Sequence, residues 1–142
     1  MTATESAVGT DHPIARTMFD ADVASRASGI VLDELGPGRA RMSMQVTATM
    51  VNGHGITHGG FVFLLADTAF AMACNSGSDA AVAARADIRF LRPTRLGDTL
   101  VAEAVERERF GRNGIYDVTV RCGDHVVAEF RGDSRTIAPA AG

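Results

Sequence analysis

The sequence predicts an α+β fold in which an antiparallel sheet packs against one long helix. The chain has 142 residues, 46% of them hydrophobic, which is enough for a single domain with a core of its own. Residues 61–74 are apolar apart from one carboxylate and one hydroxyl, a pattern typical of a buried helix. Several other stretches alternate apolar and polar residues, as half-buried strands do. We therefore expect one domain, 1–142, with residues 1–10 and 138–142 as loose tails.

A short helix is predicted near the N-terminus, over residues 11–21. Asp11 is a residue type that commonly caps helices, and Pro13 falls in the first turn, where proline is tolerated. Apolar residues follow at helical spacing: Ile14, Met18 and Phe19.

Six strands are predicted around the long helix, and the first two form a hairpin. Glycine-containing turns at residues 36–38, 111–114 and 123–124 separate strands that are neighbours in the chain. The predicted strands are 30–35, 39–47, 80–91, 99–110 and 115–122, followed by a last strand whose apolar face holds Val126, Ala128 and Phe130.

Composition and charge argue against several classes of protein. The formal net charge is -3 and no basic segment is present, so nucleic acid is not an expected partner. The first residues lack the basic and apolar regions of a signal peptide, and the apolar run is too short to span a membrane. The two cysteines, Cys74 and Cys122, do not make a disulfide framework, so we expect a cytoplasmic protein with reduced thiols.

Asp67 stands in the middle of the apolar run. On a helical wheel it lies away from the face formed by Phe61, Leu64, Leu65, Thr68, Ala69 and Met72. It would therefore point towards whatever covers the second side of the helix, either a curved sheet or a second subunit. A buried carboxylate is costly, so Asp67 either pairs with an arginine, caps a loop, or serves a site in a cleft.

Two glycines, Gly59 and Gly60, begin the same helix, and they favour the third alternative, a functional site that includes Asp67. Glycine lets a ligand approach the backbone, and the first amides of a helix are unpaired and carry partial positive charge. Such amides can stabilise the oxyanion of acyl chemistry. Gly59 and Asp67 are eight residues apart, about 12 Å along a helix, so one helix cannot bring both groups to the same carbonyl. A catalytic role for both residues therefore predicts a dimer with shared sites.

The segment NGHGITHGGFVFLLADTAFAMACNS resembles the core of the hotdog-fold acyl-CoA thioesterases, and most of all the phenylacetate-degradation (PaaI) type. The resemblance continues through DIRFLRPTRLGDTLVAEA and GIYDVTVRCGDHVVAEFRGDSRTI and covers residues 19–137. It implies a hotdog fold, with an antiparallel sheet wrapped around a long helix. It also implies a homodimer with a continuous sheet, often doubled to a homotetramer. The implied chemistry is hydrolysis of acyl-CoA to free acid and CoA, with no cofactor beyond the CoA of the substrate.

The resemblance also implies roles for particular residues. Asp67 matches the catalytic carboxylate, as a nucleophile or as a general base on water, and Gly59 matches the amide that polarises the thioester carbonyl. The two would come from opposite subunits. Three further residues match positions that shape or orient the site: Asn52, His58 and Gly60. The implied substrates are aryl-acetyl or hydroxylated phenylacetyl thioesters, with medium-chain acyl groups as the alternative.

The sequence departs from the family in one respect. Some relatives carry a hydroxyl residue on the strand after the helix that helps to hold the water, whereas residues 81–87 read AVAARAD. Either the water is held otherwise or Asp67 attacks directly. Three arginines near a strand end, Arg89, Arg92 and Arg95, are candidates to meet CoA phosphates, although surface arginines are often only solvated.

Other chemistry is less favoured by the sequence. His54 and His58 are four residues apart, but they lie in a glycine-rich loop with no third ligand, so no metal site is expected. Cys74 ends an apolar helix, where a cysteine is usually inert. A hotdog dehydratase using His58 and Asp67 is one alternative, disfavoured because no dehydratase-like histidine loop is present. A non-catalytic acyl-CoA-binding module is the other, disfavoured because binding does not need a buried acid.

Overall fold

The computed structural model describes residues 11–137, so the predicted tails at 1–10 and 138–142 lie outside the described residues. Three α-helices are present among them: α1 (Pro13–Ala21), α2 (Val23–Ala27) and α3 (Gly59–Cys74). A short 3-10 turn, Ala48–Met50, precedes the glycine-rich loop. The six strands are β1 (Val31–Gly36), β2 (Arg39–Gln45), β3 (Ala81–Phe90), β4 (Thr99–Phe110), β5 (Asn113–Cys122) and β6 (His125–Thr136).

The six strands form one antiparallel sheet in the order β1-β2-β4-β5-β6-β3. The sheet packs against α3, and the two short helices α1 and α2 also contact α3. This is the predicted α+β hotdog arrangement, and the fold prediction is confirmed. Strand β3 follows α3 in the chain but pairs with the last strand, so it forms one edge of the sheet.

The core lies between α3 and the sheet because α3 carries apolar side chains on nearly every side. Phe70 is 1% exposed, and its ring lies 5.7 Å from that of Tyr116 and 5.8 Å from that of Phe130. A β-carbon built on Gly132 would lie 2.8 Å from atoms of the Phe70 ring, so only glycine lets the helix approach the sheet this closely. Burying one side chain of this size contributes about 1.5–3 kcal/mol.

The end of α3 is fixed by the Asn75-Ser76 pair that follows it. Asn75 is fully buried; its amide nitrogen donates to the carbonyls of Ala71 (2.9 Å) and Ala81 (3.0 Å), and its oxygen accepts from the Ala81 amide at 2.8 Å. The Ser76 hydroxyl donates to the Ala73 carbonyl at 2.7 Å. These bonds satisfy carbonyls left open at the helix end and tie α3 to the start of β3.

Helix α2 was not predicted, and two further details of the strands and helices differ from the prediction. Helix α1 begins at Pro13 with His12 as its N-cap residue, in the left-handed conformation at φ 61°, so Asp11 does not cap it. On β6 a bulge shifts the register between Val120 and Arg121, where Val120 pairs with Ala128 but Arg121 pairs with Val126. The extra residue is Val127, which is buried, whereas the predicted Val126 is only partly buried.

Candidate active site

The N-terminus of α3 is capped by the side chain of His58. His58 is the N-cap, in extended conformation, and its Nδ1 accepts a hydrogen bond from the Gly60 amide at 2.9 Å. A ring nitrogen that accepts carries no proton, so the hydrogen of the neutral imidazole lies on Nε2. The Phe61 amide donates to the His58 carbonyl at 2.9 Å. Within residues 11–137 no acceptor is found for the Gly59 amide, which leaves it free to polarise a bound carbonyl.

The loop before α3 is anchored to the connection between β3 and β4. The Thr57 amide donates to the Thr94 carbonyl at 2.8 Å, and the two buried hydroxyls lie 2.7 Å apart. On the other side, the His58 amide donates to the Met50 carbonyl at 2.7 Å. These bonds fix the position of Gly59, and Thr94 has no signal in the sequence that would have singled it out.

Asn52 shapes the same loop through its side chain. Its Oδ1 accepts from the amides of His54 (2.9 Å) and Ile56 (3.3 Å), and its own amide donates to the Ile56 carbonyl at 2.8 Å. The side chain therefore folds the loop in the manner of an Asx turn. Asn52 also lines a depression beside Gly59, so it can both hold the loop in shape and contact a ligand bound in that depression.

A largely apolar depression of about 390 Å³ opens beside Gly59. Its apolar lining residues are Ile56, Val62, Phe90, Leu91, Pro93 and Val127, and its polar ones include Asn52 and Arg92. The bulge in β6 shapes one wall of the depression, because the carbonyl of the bulged residue Val127 accepts hydrogen bonds from the amides of Leu91 (2.9 Å) and Arg92 (3.3 Å). An apolar depression that meets a free backbone amide is suited to a small acyl group with one polar reacting centre.

Asp67 lies two turns into α3 and is half-buried. Neither a hydrogen bond nor an ion pair to Asp67 is present within residues 11–137. The structural alternatives, an arginine partner or a loop cap, therefore find no support in the described part of the chain. Burial raises the pKa of the Asp67 carboxyl, and the nearby negative charge of Asp22 raises it further. An unpaired carboxyl with a raised pKa is typical of a functional site.

The helix face that carries Asp67 is the one left uncovered. Along α3, Gly60, the adjacent pair Phe63 and Leu64, Asp67 and Ala71 follow one another at steps of three or four residues. All five are exposed or only partly buried, while the rest of α3 from Val62 onwards is buried. We call these five residues the open face of α3. Asp67 does not line the depression beside Gly59, in keeping with the separation of about 12 Å expected along one helix.

Two of the three arginines considered for CoA, Arg92 and Arg89, lie in different places, and the third, Arg95, does not line the Gly59 depression. Arg92 lines the Gly59 depression, and its Nη1 donates to the Val126 carbonyl at 2.7 Å. Arg89 points to the outer side of β3, where its Nη1 lies 3.3 Å from an Asp87 oxygen and it lines a separate, charged depression. Of the two, Arg92 alone shares the cleft with the Gly59 amide.

Two other kinds of chemistry, a metal site and a cysteine nucleophile, involve side chains whose surroundings the structure describes. No group of three or more His, Cys, Asp or Glu side chains close enough to hold a metal occurs within residues 11–137. Burial raises the pKa of the Cys74 thiol to about 12, which keeps it protonated and unreactive at neutral pH. No helix of residues 11–137 is both long and apolar enough to span a membrane.

Comparison with known proteins agrees with the fold and identifies the family. The sequence profile of the thioesterase superfamily matches residues 54–129, which include the loop, α3 and most of the sheet. The chain is 47% identical to the acyl-coenzyme A thioesterase PaaI of Escherichia coli K12 over 124 residues, 87% of this chain and 89% of that protein. The chain therefore belongs to the thioesterase superfamily. Within it, the chain is a homologue of the PaaI-type acyl-CoA thioesterases.

Solved structures support the same grouping. The structure of Escherichia coli PaaI, from the phenylacetic acid degradation operon, superposes with a TM-score of 0.86 at 45% identity, covering 89% of this chain and 92% of that one. A point mutant of the phenylacetic acid degradation protein PaaI of Thermus thermophilus gives a TM-score of 0.80 at 35% identity, covering 82% of this chain and 100% of that one.

Proposed function

We propose that this protein hydrolyses acyl-CoA thioesters to the free acid and CoA, using Asp67 of one subunit and the Gly59 amide of another. The observation that carries the proposal is the pairing of a free helix amide at an apolar depression with an unpaired carboxyl on the open face of the same helix. The relative with 47% identity is named as an acyl-coenzyme A thioesterase, which supports the reaction class.

A second copy of the chain is the partner that brings the two groups together. The open face of α3 is apolar apart from Asp67, and β3 presents an unpaired edge of the sheet in the described chain. If two copies place their α3 helices side by side and antiparallel, each Asp67 approaches the other copy's Gly59. The two β3 edges then lie close enough to join the sheets, which removes the exposed edges. Such dimers can pair again, and we propose a homodimer or a dimer of dimers.

The reaction needs one hydrogen-bond donor and one carboxylate at the thioester carbon. The Gly59 amide donates to the carbonyl oxygen and stabilises the negative charge that develops there. In one route Asp67 takes a proton from water, the hydroxide adds to the carbon, and the tetrahedral intermediate expels CoA as the thiolate. In the other, Asp67 adds directly, CoA thiolate leaves, and water hydrolyses the resulting anhydride. Residues 81–87 offer no hydroxyl for the water, so both routes stay open.

The depression beside Gly59 has a lining that suits an aromatic or short aliphatic acyl group. Its apolar walls can hold a phenyl ring, while Arg92 at the rim can pair with a CoA phosphate. The names of the relatives refer to phenylacetic acid degradation, and we therefore propose phenylacetyl-CoA and its hydroxylated forms as the preferred substrates. A role in releasing CoA from unproductive thioesters would instead give a flat profile across acyl groups.

The test is release of free thiol from phenylacetyl-CoA, ring-hydroxylated phenylacetyl-CoA and a panel of straight-chain acyl-CoAs. We expect turnover by the native protein and a loss of at least about a hundredfold in Asp67→Asn. Saturable binding without turnover in both proteins would contradict hydrolysis and favour a binding module. Water addition to or elimination from an enoyl or hydroxyacyl thioester, without thiol release, would favour the dehydratase.

A further inference from the structure

A hydrogen-bond network joins the N-terminal helices to α3 beside Asp67. Ser25 is fully buried, its hydroxyl donates to one oxygen of Asp22 at 2.6 Å, and its amide donates to the other at 2.9 Å. The same Ser25 oxygen lies 2.8 Å from the buried Thr68 hydroxyl. Because the single Ser25 hydroxyl hydrogen goes to the carboxylate, Thr68 must be the donor to Ser25. Asp22 is thus fixed two hydrogen bonds from the residue that follows Asp67.

The charge of Asp22 is not neutralised by a neighbouring arginine. Both of its oxygens accept hydrogen bonds, one from the Ser25 hydroxyl and one from the Ser25 amide. Arg26, the arginine of α2, lies 3.9 Å from Asp20 and over the ring of Phe19 instead. Throughout residues 11–137, no ion pair involves Asp22 or Asp67. A fixed negative charge therefore stands beside the proposed catalytic carboxylate without a counter-ion.

We propose that Asp22, held through Ser25 against Thr68, keeps a second negative charge beside Asp67 and so makes the Asp67 carboxylate a stronger base. The proposal rests on the proposed function for the catalytic role of Asp67. Asp22 is then a positioning residue, since it acts on the reaction through Asp67 and not on the substrate. The arrangement also gives α1 and α2 a role in the chemistry in addition to covering the core.

The groups that face Asp67 are consistent with this role. From the joint between α1 and α2 the charged group is Asp22, and with burial it accounts for the raised pKa of Asp67. On α3 itself the charge of Asp67 reaches Cys74, and burial raises the pKa of that thiol to about 12, so Cys74 is neutral at neutral pH. No arginine or histidine of residues 11–137, from the sheet or from the helices, lowers the pKa of Asp67. A carboxylate of higher pKa is both a stronger base and a stronger nucleophile.

The test compares variants that differ in charge but not in helix capping. Asp22→Asn removes the charge and keeps a good N-cap residue for α2, and Asp22→Ser does the same with a second side chain. We expect the acid limb of the kcat/KM profile to move to lower pH in both variants, and to return towards the native position in Asp22→Glu. Asp20→Asn removes an equal charge from an exposed residue paired with Arg26, so its acid limb should match that of the native protein.

A second readout does not depend on activity. The carbon-13 resonance of the Asp67 carboxyl, followed by NMR against pH, should titrate at lower pH in Asp22→Asn than in the native protein. Unchanged titration of Asp67 in folded Asp22→Asn and Asp22→Ser, or an equal shift in Asp20→Asn, would overturn the proposal. An inactive native protein whose Asp67 titration still responds to Asp22 would contradict the proposed function while supporting the coupling between the two carboxyls.

Discussion

The end of the Phe90 ring lies against Gly59. A β-carbon built on Gly59 would lie 3.0 Å from Cζ of the ring, closer than nearly all contacts of real β-carbons. Phe90 is 56% exposed, so its side chain is free to shift when a ligand or a small substituent enters. The glycine therefore gives the ring a close approach to the start of α3 while leaving the Gly59 amide accessible from the depression.

This contact allows the Gly59 amide to be tested by a pair of substitutions. Gly59→Pro removes the N–H at the first helical position, where proline is tolerated. The preceding residue, His58, already has the extended conformation that a following proline requires (φ -61°, ψ 131°). Gly59→Ala adds a β-carbon against Phe90 and keeps the amide. We expect kcat to fall by about a hundredfold to a thousandfold in Gly59→Pro and by less than about tenfold in Gly59→Ala. Equal losses would mean that crowding by Phe90, and not the amide, limits the reaction.

The raised pKa of Asp67 also makes a prediction about stability. A carboxyl whose pKa is higher in the folded than in the unfolded state destabilises the fold when it is ionised. The cost is present above the folded-state pKa and disappears as the pH falls through that value towards 3.8, the ordinary value. We therefore expect Asp67→Asn to raise the melting temperature by a few degrees at about pH 7 to 8, with the gain vanishing near about pH 4.

Thermal unfolding followed by circular dichroism across this pH range measures the effect. Asp124→Asn is the matched control, because Asp124 is exposed in the turn between β5 and β6. An Asp67→Asn protein that is less stable than the native one at neutral pH would show that Asp67 makes a stabilising contact in the assembled protein.

Arg92 and Arg89 form a second natural pair for comparison. Arg92 shares the depression with Gly59, whereas Arg89 lies on the outer side of β3 next to Asp87. We expect Arg92→Gln to raise KM for acyl-CoA by about tenfold with kcat little changed, because a lost phosphate contact weakens ground-state and transition-state binding alike. Arg89→Gln should leave both constants near the native values. A larger rise in KM for Arg89→Gln than for Arg92→Gln would place the CoA phosphates on the outer face of the sheet.

The fold was predictable from the sequence because its signals are local and strong. The apolar run at 61–74 identifies α3, and glycine-containing turns separate alternating strands, so most strand bounds fall within a residue or two of those observed. The prediction was wrong at positions where tertiary contacts, and not the local sequence, determine the conformation. Val127 takes the buried place expected for Val126 because a bulge in β6 shifts the register, and no residue pattern marks that bulge. His12 takes the place of Asp11 at the start of α1, where no side chain makes a capping hydrogen bond.

The geometry of the candidate site was predictable in part for the same reason. Gly59 and Asp67 stand on one regular helix, so their separation and the outward direction of Asp67 follow from helix geometry. Ser25 and Thr68 are ordinary residues in the sequence, and only the packing of α2 on α3 brings their hydroxyls within 2.8 Å. Phe90 likewise comes to Gly59 through strand pairing between residues far apart in the chain.

The most direct test of a shared site mixes two inactive subunits. Asp67→Asn and Gly59→Pro chains, carrying different affinity tags, are expressed together, and the mixed oligomers are isolated through both tags. If Asp67 of one subunit serves Gly59 of the other, each mixed dimer holds one intact site of its two, and activity returns to about a quarter to a half of native. Mixed oligomers as inactive as the two parent proteins would show that one subunit supplies both groups, and would contradict the shared site.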